Sequence, residues 1–334
     1  MKKTILMLGA QGVLGNFTAN SLKAAGYNVF RGGRRPDNAT DFRLVDLDRL
    51  ETLTAALDGV DLVVSSIEDP EVRAEREVMR HGGILLSQAT LPASARRLLE
   101  AEAAKGVKGT VVLNSGLSGV AALVIKELLE NFPDADEVEF AYIVSTAASS
   151  GLTGTRYAHR LLTEQSGLRI VQREFTAPRG VRPCFDLSDN DEVWISPSVV
   201  GNRKVHAFLA IAEKGLSLFL RGLNRTGLLA RLPEGLLTAG VKMKPAPIEL
   251  TREPIRARLA VYKNGTPLAA CGVDAEGDYN STVQSTTLFA MSLLQLADTG
   301  GARTGLFGVE DVFHLKDLRP ALDTYRVFVQ PMAA

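Results

Sequence analysis

Residues Ile5-Leu6-Met7-Leu8-Gly9-Ala10-Gln11-Gly12-Val13-Leu14-Gly15 decide how this chain is read. Four apolar residues make a run of the length of a buried strand, and a G-x-x-G-x-x-G pattern follows directly. After it, apolar residues recur at helical spacing over 13–25, and Gly26 closes the segment. Alone, such a glycine pattern carries little. Between a strand and a helix it has a mechanical meaning. Gly9 permits a tight turn, Gly12 lets backbone approach a pyrophosphate, and Gly15 lets the helix pack closely on the strand. Free amides at the helix N-terminus supply the anion site, which makes Gly9, Gln11, Gly12, Val13, Leu14 and Gly15 candidate dinucleotide contacts.

The following hundred or so residues keep the same alternation. Segments 28–31 and 42–45 read as strands, and Asp48 with Glu51 reads as a capping box opening a helix through Leu57. Strand 60–65 is bordered by Asp69-Pro70, which is expected to start the next helix, with Gly82-Gly83 stopping it. Strand 84–87, helix 92–105 and strand 110–113 complete the series. Strands alternating with helices mean right-handed crossovers and a parallel doubly wound sheet of Rossmann type.

The pattern then changes. Helix 118–131 ends before Pro133 and leads to longer strands with polar alternation, the first at 138–145. Segments 256–262 and 268–273 flank Asn264-Gly265, a type I′ hairpin signal. There Arg256 and Arg258 alternate with Leu259 and Val261, which predicts a sheet with one wet face. Segment 206–237, rich in Leu and Phe with Lys214, Arg221, Arg225 and Arg231 interspersed, reads as two amphipathic helices. The fold class is therefore α/β: a Rossmann domain at 1–117, then an α+β domain on an open mixed sheet at 118–305. A tail at 306–334, with a short strand near 325–329, is expected to return to the Rossmann domain.

Composition narrows the function classes. The chain has 334 residues, 46% hydrophobic and 23% charged, with 38 basic and 38 acidic side chains. This is globular composition, not that of a disordered chain. A net charge of zero offers no overall field for nucleic acid or an anionic membrane. Cys184 and Cys271 stand far apart and match no metal-ligand spacing; two buried free thiols in a reducing cytosol are favoured over a single bridge between them. Met1-Lys2-Lys3 and the apolar run after it resemble the start of a secretory signal. That run is too short, and it flows into the glycine turn. No stretch approaches the ~18 apolar residues of a membrane span. A cytoplasmic location is expected.

Cofactor choice is decided about 20 residues beyond the glycine turn, where a carboxylate would take a ribose 2′-hydroxyl. Here that place reads Gly32-Gly33-Arg34-Arg35-Pro36, with no carboxylate and two guanidinium groups. Arginine forks match a 2′-phosphate, so NADP is favoured over NAD. Asp46 and Leu47, after the third strand, are placed beside an adenine. Ser65 and Ser66, after the fourth, are placed along the cofactor's central part.

With these blocks in hand, the sequence resembles the saccharopine dehydrogenase-like NAD(P)-binding family. The likeness is carried by Gly9 to Gly15, Asn114-Ser115-Gly116-Leu117-Ser118-Gly119, Ser149-Ser150-Gly151-Leu152-Thr153-Gly154-Thr155, Asp278-Tyr279, and Gly308-Val309-Glu310-Asp311-Val312-Phe313. The resemblance implies a Rossmann domain, a second α+β domain, a pyridine nucleotide and a homodimer. It leaves the substrate open among amino-acid, polyamine and enoyl-type reductases. Segment 206–237 is similar to an insertion of the enoyl type, and equally to a core or dimer-interface helical pair.

Catalytic motifs are sparse. None of the six tyrosines has a lysine four residues on: Leu161 follows Tyr157 at that spacing, and Val283 follows Tyr279. His81, His159, His206 and His314 are isolated and no H-E-x-x-H occurs, so no metal site is expected. Leu113-Asn114-Ser115-Gly116 lacks the leading glycine of a nucleophile elbow. Tyr157 and His159 remain as candidate proton donors, and at i and i+2 on a helix they do not share a face. The expectation is an NADPH-dependent oxidoreductase that passes hydride to a small or apolar carbonyl, imine or activated alkene. The alternative is a non-catalytic NADP-binding sensor or structural protein.

Overall fold

The computed structural model describes residues 2–145, 152–190, 193–235, 249–250, 252–301 and 303–333, with 152 and 153 as backbone alone. Two compact units divide the chain, Met1–Gly119 with Thr282–Val312, and Val120–Ser281 with Phe313–Ala334.

The first unit is built on seven strands in parallel. They are β1 (Thr4–Leu8), β2 (Asn28–Gly33), β3 (Phe42–Leu44), β4 (Leu62–Ser65), β5 (Ile84–Ser87), β6 (Thr110–Leu113) and, far along the chain, β13 (Gly305–Gly308). Their order is β13-β6-β5-β4-β1-β2-β3, so the direction of winding reverses between β1 and β4. Helices Val13–Ala24, Leu50–Ala56, Arg73–His81 and Ala93–Ala103 make the crossovers. Helices on both faces bury a parallel sheet from either side, which is why its strands are apolar runs. Ile5, Leu6, Met7, Leu8, Val64, Leu85 and Leu86 are all fully buried. The segment that looked like part of a signal is β1, in the interior of this sheet.

Two helix starts differ from the sequence reading. The Asp48–Glu51 capping box does not form: helix Leu50–Ala56 has Arg49 as its cap residue and no side-chain cap. Arg73 Nη1 instead donates to Asp48 Oδ1 at 2.6 Å, a charge-assisted bond that outcompetes a backbone amide. The helix expected at Pro70 begins at Arg73. Asp69 accepts the amides of Glu71 and Arg73, at 3.3 and 2.9 Å, and so holds 69–72 in a turn. Gly82 ends that helix in the left-handed region, as the sequence predicts.

The second unit carries β7 (Glu137–Val144), β8 (Ile170–Phe175), β9 (Gly180–Asp186), β10 (Lys204–Ile211), β11 (Pro254–Lys263), β12 (Thr266–Glu276) and β14 (Val327–Met332). Their order is β14-β12-β11-β7-β10-β9-β8; β7 and β10 run parallel and the other neighbours antiparallel. The β11–β12 hairpin turns through Asn264 and Gly265, both at positive φ. Segment 206–237 is corrected in its first part, since 206–211 is strand. β10 pairs with β7 over eight residues, and its alternate residues Ala207, Leu209 and Ile211 join the core beneath helices Leu152–Thr163 and Lys214–Arg225. Both faces of this strand are buried, so 207–211 is a continuous apolar run with no alternation to distinguish it from a helix. Residues 306–334 do not act as one tail: they give β13 to the parallel sheet and β14 to the mixed one.

The wet face expected around Arg256 and Arg258 is also corrected. Arg258 is 8% exposed, and the sheet curls so that its β8 edge folds over that face. Arg173 on β8 reaches Glu139 on β7 at 2.8 Å, and Thr176 bonds Asp274 on β12 at 2.7 Å. A Cβ on Gly272 would lie 2.6 Å from the Thr176 methyl, so glycine is what lets the two layers meet. Cys184 and Cys271 are both free.

Candidate functional site

The C-terminal ends of β1, β2 and β4 converge beside the reversal of strand order, where open α/β sheets bind ligands. Gly9 leaves β1 at φ +78°, in the region that favours glycine, and accepts the Gly12 amide at 2.9 Å. A Cβ on Gly15 would overlap the Gly9 carbonyl oxygen, and one on Gly9 would stand 2.5 Å from Ser66 Oγ. These two glycines therefore serve packing. Gly12 differs: a Cβ there would meet Gly9 O alone, at 3.3 Å, and the residue is exposed. Gly12 also caps helix Val13–Ala24, which has no side-chain cap and no acid in its first turn. The first-turn amides of Val13 and Leu14 thus retain hydrogen-bonding capacity beneath open space, and the helix dipole adds positive potential.

Ser66 forms the floor of the turn, donating from both N and Oγ to Leu8 O at 3.1 Å. Ser65 is buried, and its Oγ accepts the Ile67 amide at 3.3 Å. On the β2 side, Gln11 lies over Gly33, where a Cβ would come within 2.6 Å of Gln11 Oε1. Its Nε2 donates to Arg35 O at 2.9 Å, which ties the Arg34-Arg35 loop to the glycine turn. Both arginine side chains are exposed. Asp46 and Leu47 follow β3, held near by the Val45 amide on Gly33 O at 2.9 Å. The Asp48 amide, then Arg49 and more distantly Arg34, hold the Asp46 carboxyl below the usual carboxylate range. All twelve residues singled out for cofactor binding thus belong to the first unit. Their donors and open backbone fit a dinucleotide's pyrophosphate and phosphates.

Tyr157 and His159 lie in the second unit on helix Leu152–Thr163, while Ser149, Ser150 and Gly151 fall outside the described residues. Tyr157 packs against the core of Leu161, Leu209 and Leu220, with the Arg160 guanidinium 5.8 Å from its ring. His159 Nε2–H donates to Leu232 O at 2.6 Å, which fixes that nitrogen as the protonated one in the neutral ring.

The environments of three polar residues are not legible in the sequence. Gln88, buried just past β5, donates to Thr18 at 2.9 Å and to Thr286 at 3.1 Å, and Thr286 donates to Ser115 O at 2.9 Å. A polar residue closing the apolar run 84–87 was the available signal; its partner 198 residues away was not. Glu75 is 1% exposed and neither carboxyl oxygen has a hydrogen-bond partner, so burial pushes it up to about 7. Asp278, the first residue of helix Asp278–Asp298, is half-buried, and burial pushes its carboxyl up to about 6.

The whole chain can be laid on apo saccharopine dehydrogenase (L-Glu forming) from Saccharomyces cerevisiae. The TM-score is 0.62, covering 99% of this chain and 100% of that one at 13% identity. This chain has the saccharopine dehydrogenase fold. Weaker matches are a meso-dapdh mutant with DAP from Clostridium tetani, at TM-score 0.48 and 13% identity over 96% of this chain and 99% of that one, and amine dehydrogenase from Mycobacterium smegmatis, at 0.46 and 9% over 93% and 96%. At these identities the likeness is one of fold alone. No family model and no curated protein sequence matches the chain. Within the saccharopine dehydrogenase fold, the glycine turn stands at the end of β1 on the nucleotide-type sheet.

Proposed function

We propose that this protein is an NADPH-dependent oxidoreductase acting on a small or apolar carbonyl, imine or activated alkene. One observation carries the reading. A helix with no side-chain cap opens at the exposed Gly12, beside a β2 end that bears two exposed arginines and no carboxylate. NADPH bound there supplies the hydride, and the chain supplies grip, orientation and a proton. The amides of Val13 and Leu14 hold the pyrophosphate, while Arg34 and Arg35 take the 2′-phosphate on a loop that Gln11 fixes. Asp46 and Leu47 border the adenine, and Ser65 and Ser66 shape the floor. Tyr157 or His159 delivers the proton. With Nε2 engaged by Leu232 O, the imidazole has Nδ1 left for exchange.

The fold shared with a dehydrogenase supports the reaction class. The arginine pair supports the choice of NADP. Thermal unfolding with NADPH, NADH, NADP or NAD tests both, because a ligand of the folded state raises the midpoint. NADP(H) should give the larger shift, and NADPH should then be oxidised in a screen of keto acids, imines and enones. Replacing Arg34 and Arg35 together by Ala should weaken NADPH at least about tenfold more than NADH. Equal losses would remove the 2′-phosphate role. No shift with any nucleotide would overturn the oxidoreductase reading itself.

A further inference from the structure

Helix Lys214–Arg225 and the 3-10 turn Leu229–Arg231 cover one end of the mixed sheet's core through Leu220 and Leu229. Their other side is unusual. Leu218 is 67% exposed, Phe219 57% and Leu228 50%. Seven large apolar side chains are strongly exposed among the described residues, and these are three of them, within eleven positions. At 100° per residue, Leu218 and Phe219 flank Gly215 and Gly222 on the solvent face of the helix. The smallest residues thus stand between the two largest apolar ones, leaving a shallow, unobstructed apolar strip.

Charge around the strip has one sign. From 214 to 233 the sequence carries Lys214, Arg221, Arg225 and Arg231 and no acidic residue. None of these four cations has an ion pair or side-chain hydrogen bond among the described residues, although arginines elsewhere in the unit are paired with carboxylates. The flanking acids are engaged: Glu213 accepts Ser145 Oγ at 2.7 Å, and Glu234 accepts Arg156 Nε at 2.9 Å. Exposed Leu and Phe bordered by unpaired Lys and Arg are what an amphipathic helix presents to a lipid interface.

We propose that this face of helix Lys214–Arg225, with Leu228 and Arg231, docks the protein on an anionic lipid bilayer. The apolar strip enters the headgroup boundary and the cations meet the negative surface. Charge complementarity selects this occupant. A second copy of the chain would bring the same four cations face to face, at a repulsive cost. Docking is peripheral, since no described helix is long and apolar enough to cross a membrane. The whole-chain balance of 38 basic and 38 acidic side chains hides this local excess.

Flotation of the full chain with two vesicle types tests the proposal. One is pure phosphatidylcholine and the other an equal mixture of phosphatidylcholine and phosphatidylglycerol. The protein should float with the mixed vesicles, release as salt is raised, and stay behind with the neutral ones. Arg221→Glu with Arg225→Glu should lower partitioning at least about tenfold. Leu218→Ser with Phe219→Ser should lower it on the same vesicles while leaving the thermal midpoint intact, because both residues are exposed. Failure to bind mixed vesicles would overturn the proposal, as would equal binding to neutral ones. So would a Leu218→Ser/Phe219→Ser variant that merely shifts from a larger to a smaller species on sizing, which would assign the face to self-association.

Discussion

The two sheets bury themselves by different means. In the parallel sheet, β1, β4, β5 and β6 are apolar on both faces, and helices supply the cover. In the mixed sheet one face is apolar under helices, while the other joins an apolar cluster of Ala141, Ile143, Phe175 and Phe208 to the charges of Glu139, Arg173, Arg256, Arg258 and Asp274. No helix is needed over the charges, because the sheet's own edge folds onto them. Glu139 is 1% exposed and meets Arg173 Nε at 2.8 Å, Tyr262 OH at 2.9 Å and Arg258 Nε at 3.4 Å. Apolar cover tolerates small changes of shape. A buried ion network does not tolerate the loss of one member, because its desolvation cost is offset only while every partner is present.

That contrast predicts its own breaking points. The largest effect is expected at Glu139. Glu139→Ala leaves Arg173, Arg258 and the Tyr262 hydroxyl facing an empty site and should lower unfolding free energy by about 3–5 kcal/mol in urea titration. Replacing Glu139, Arg173 and Arg258 together by apolar residues of similar volume should restore most of it. A loss under about 1 kcal/mol for the single change would mean that the face is wet and the contrast unfounded.

Among the polar side chains buried in the parallel unit, such as Gln88, Glu102 and Glu75, the last sharpens the comparison. Glu75 is buried without a partner and titrates at about 7 instead of 4.5. The folded state then holds a proton that the unfolded chain has released. Stability should fall as pH rises from about 4.5 to 7 and level off above. Glu75→Gln should reduce that slope to the share left by Asp278, whose carboxyl is also raised, and stabilise the protein at pH 8, by on the order of 3 kcal/mol at most. Thermal midpoints across pH measure it; a variant as pH-sensitive as the parent would locate the titration elsewhere. The smallest effect belongs to the hairpin. Gly265 has φ +74°, so Gly265→Ala should cost about 1 kcal/mol by strain alone.

Legibility in the sequence follows the same division. The parallel sheet was readable because burial on both faces writes each strand as an apolar run, and the glycine turn marks where β1 ends. Asn264-Gly265 was readable because both positions need positive φ. Arg256 and Arg258 misled because alternation reports which face a residue is on, not what covers that face. Strand β10 misled because Leu and Phe at 206–211 suit a helix or a strand buried on both sides equally. The glycine turn and the loop of Arg34 and Arg35 are local features, each visible as a short run of sequence. The Gln88–Thr286 bond and the Arg73–Asp48 bond join distant segments, and no local pattern encodes them.

The seventh strand of the parallel sheet has a consequence for synthesis. β6 ends at Leu113, and its neighbour β13 ends at Gly308. At roughly 5–20 residues per second, a ribosome takes on the order of 10–40 s to deliver the intervening chain. Throughout that interval Val111 and Val112 present an unpaired backbone edge to every other nascent chain nearby. Birth of this protein therefore includes a window in which its nucleotide-type sheet is open to the wrong partner, and a stop codon anywhere before Gly305 makes that window permanent.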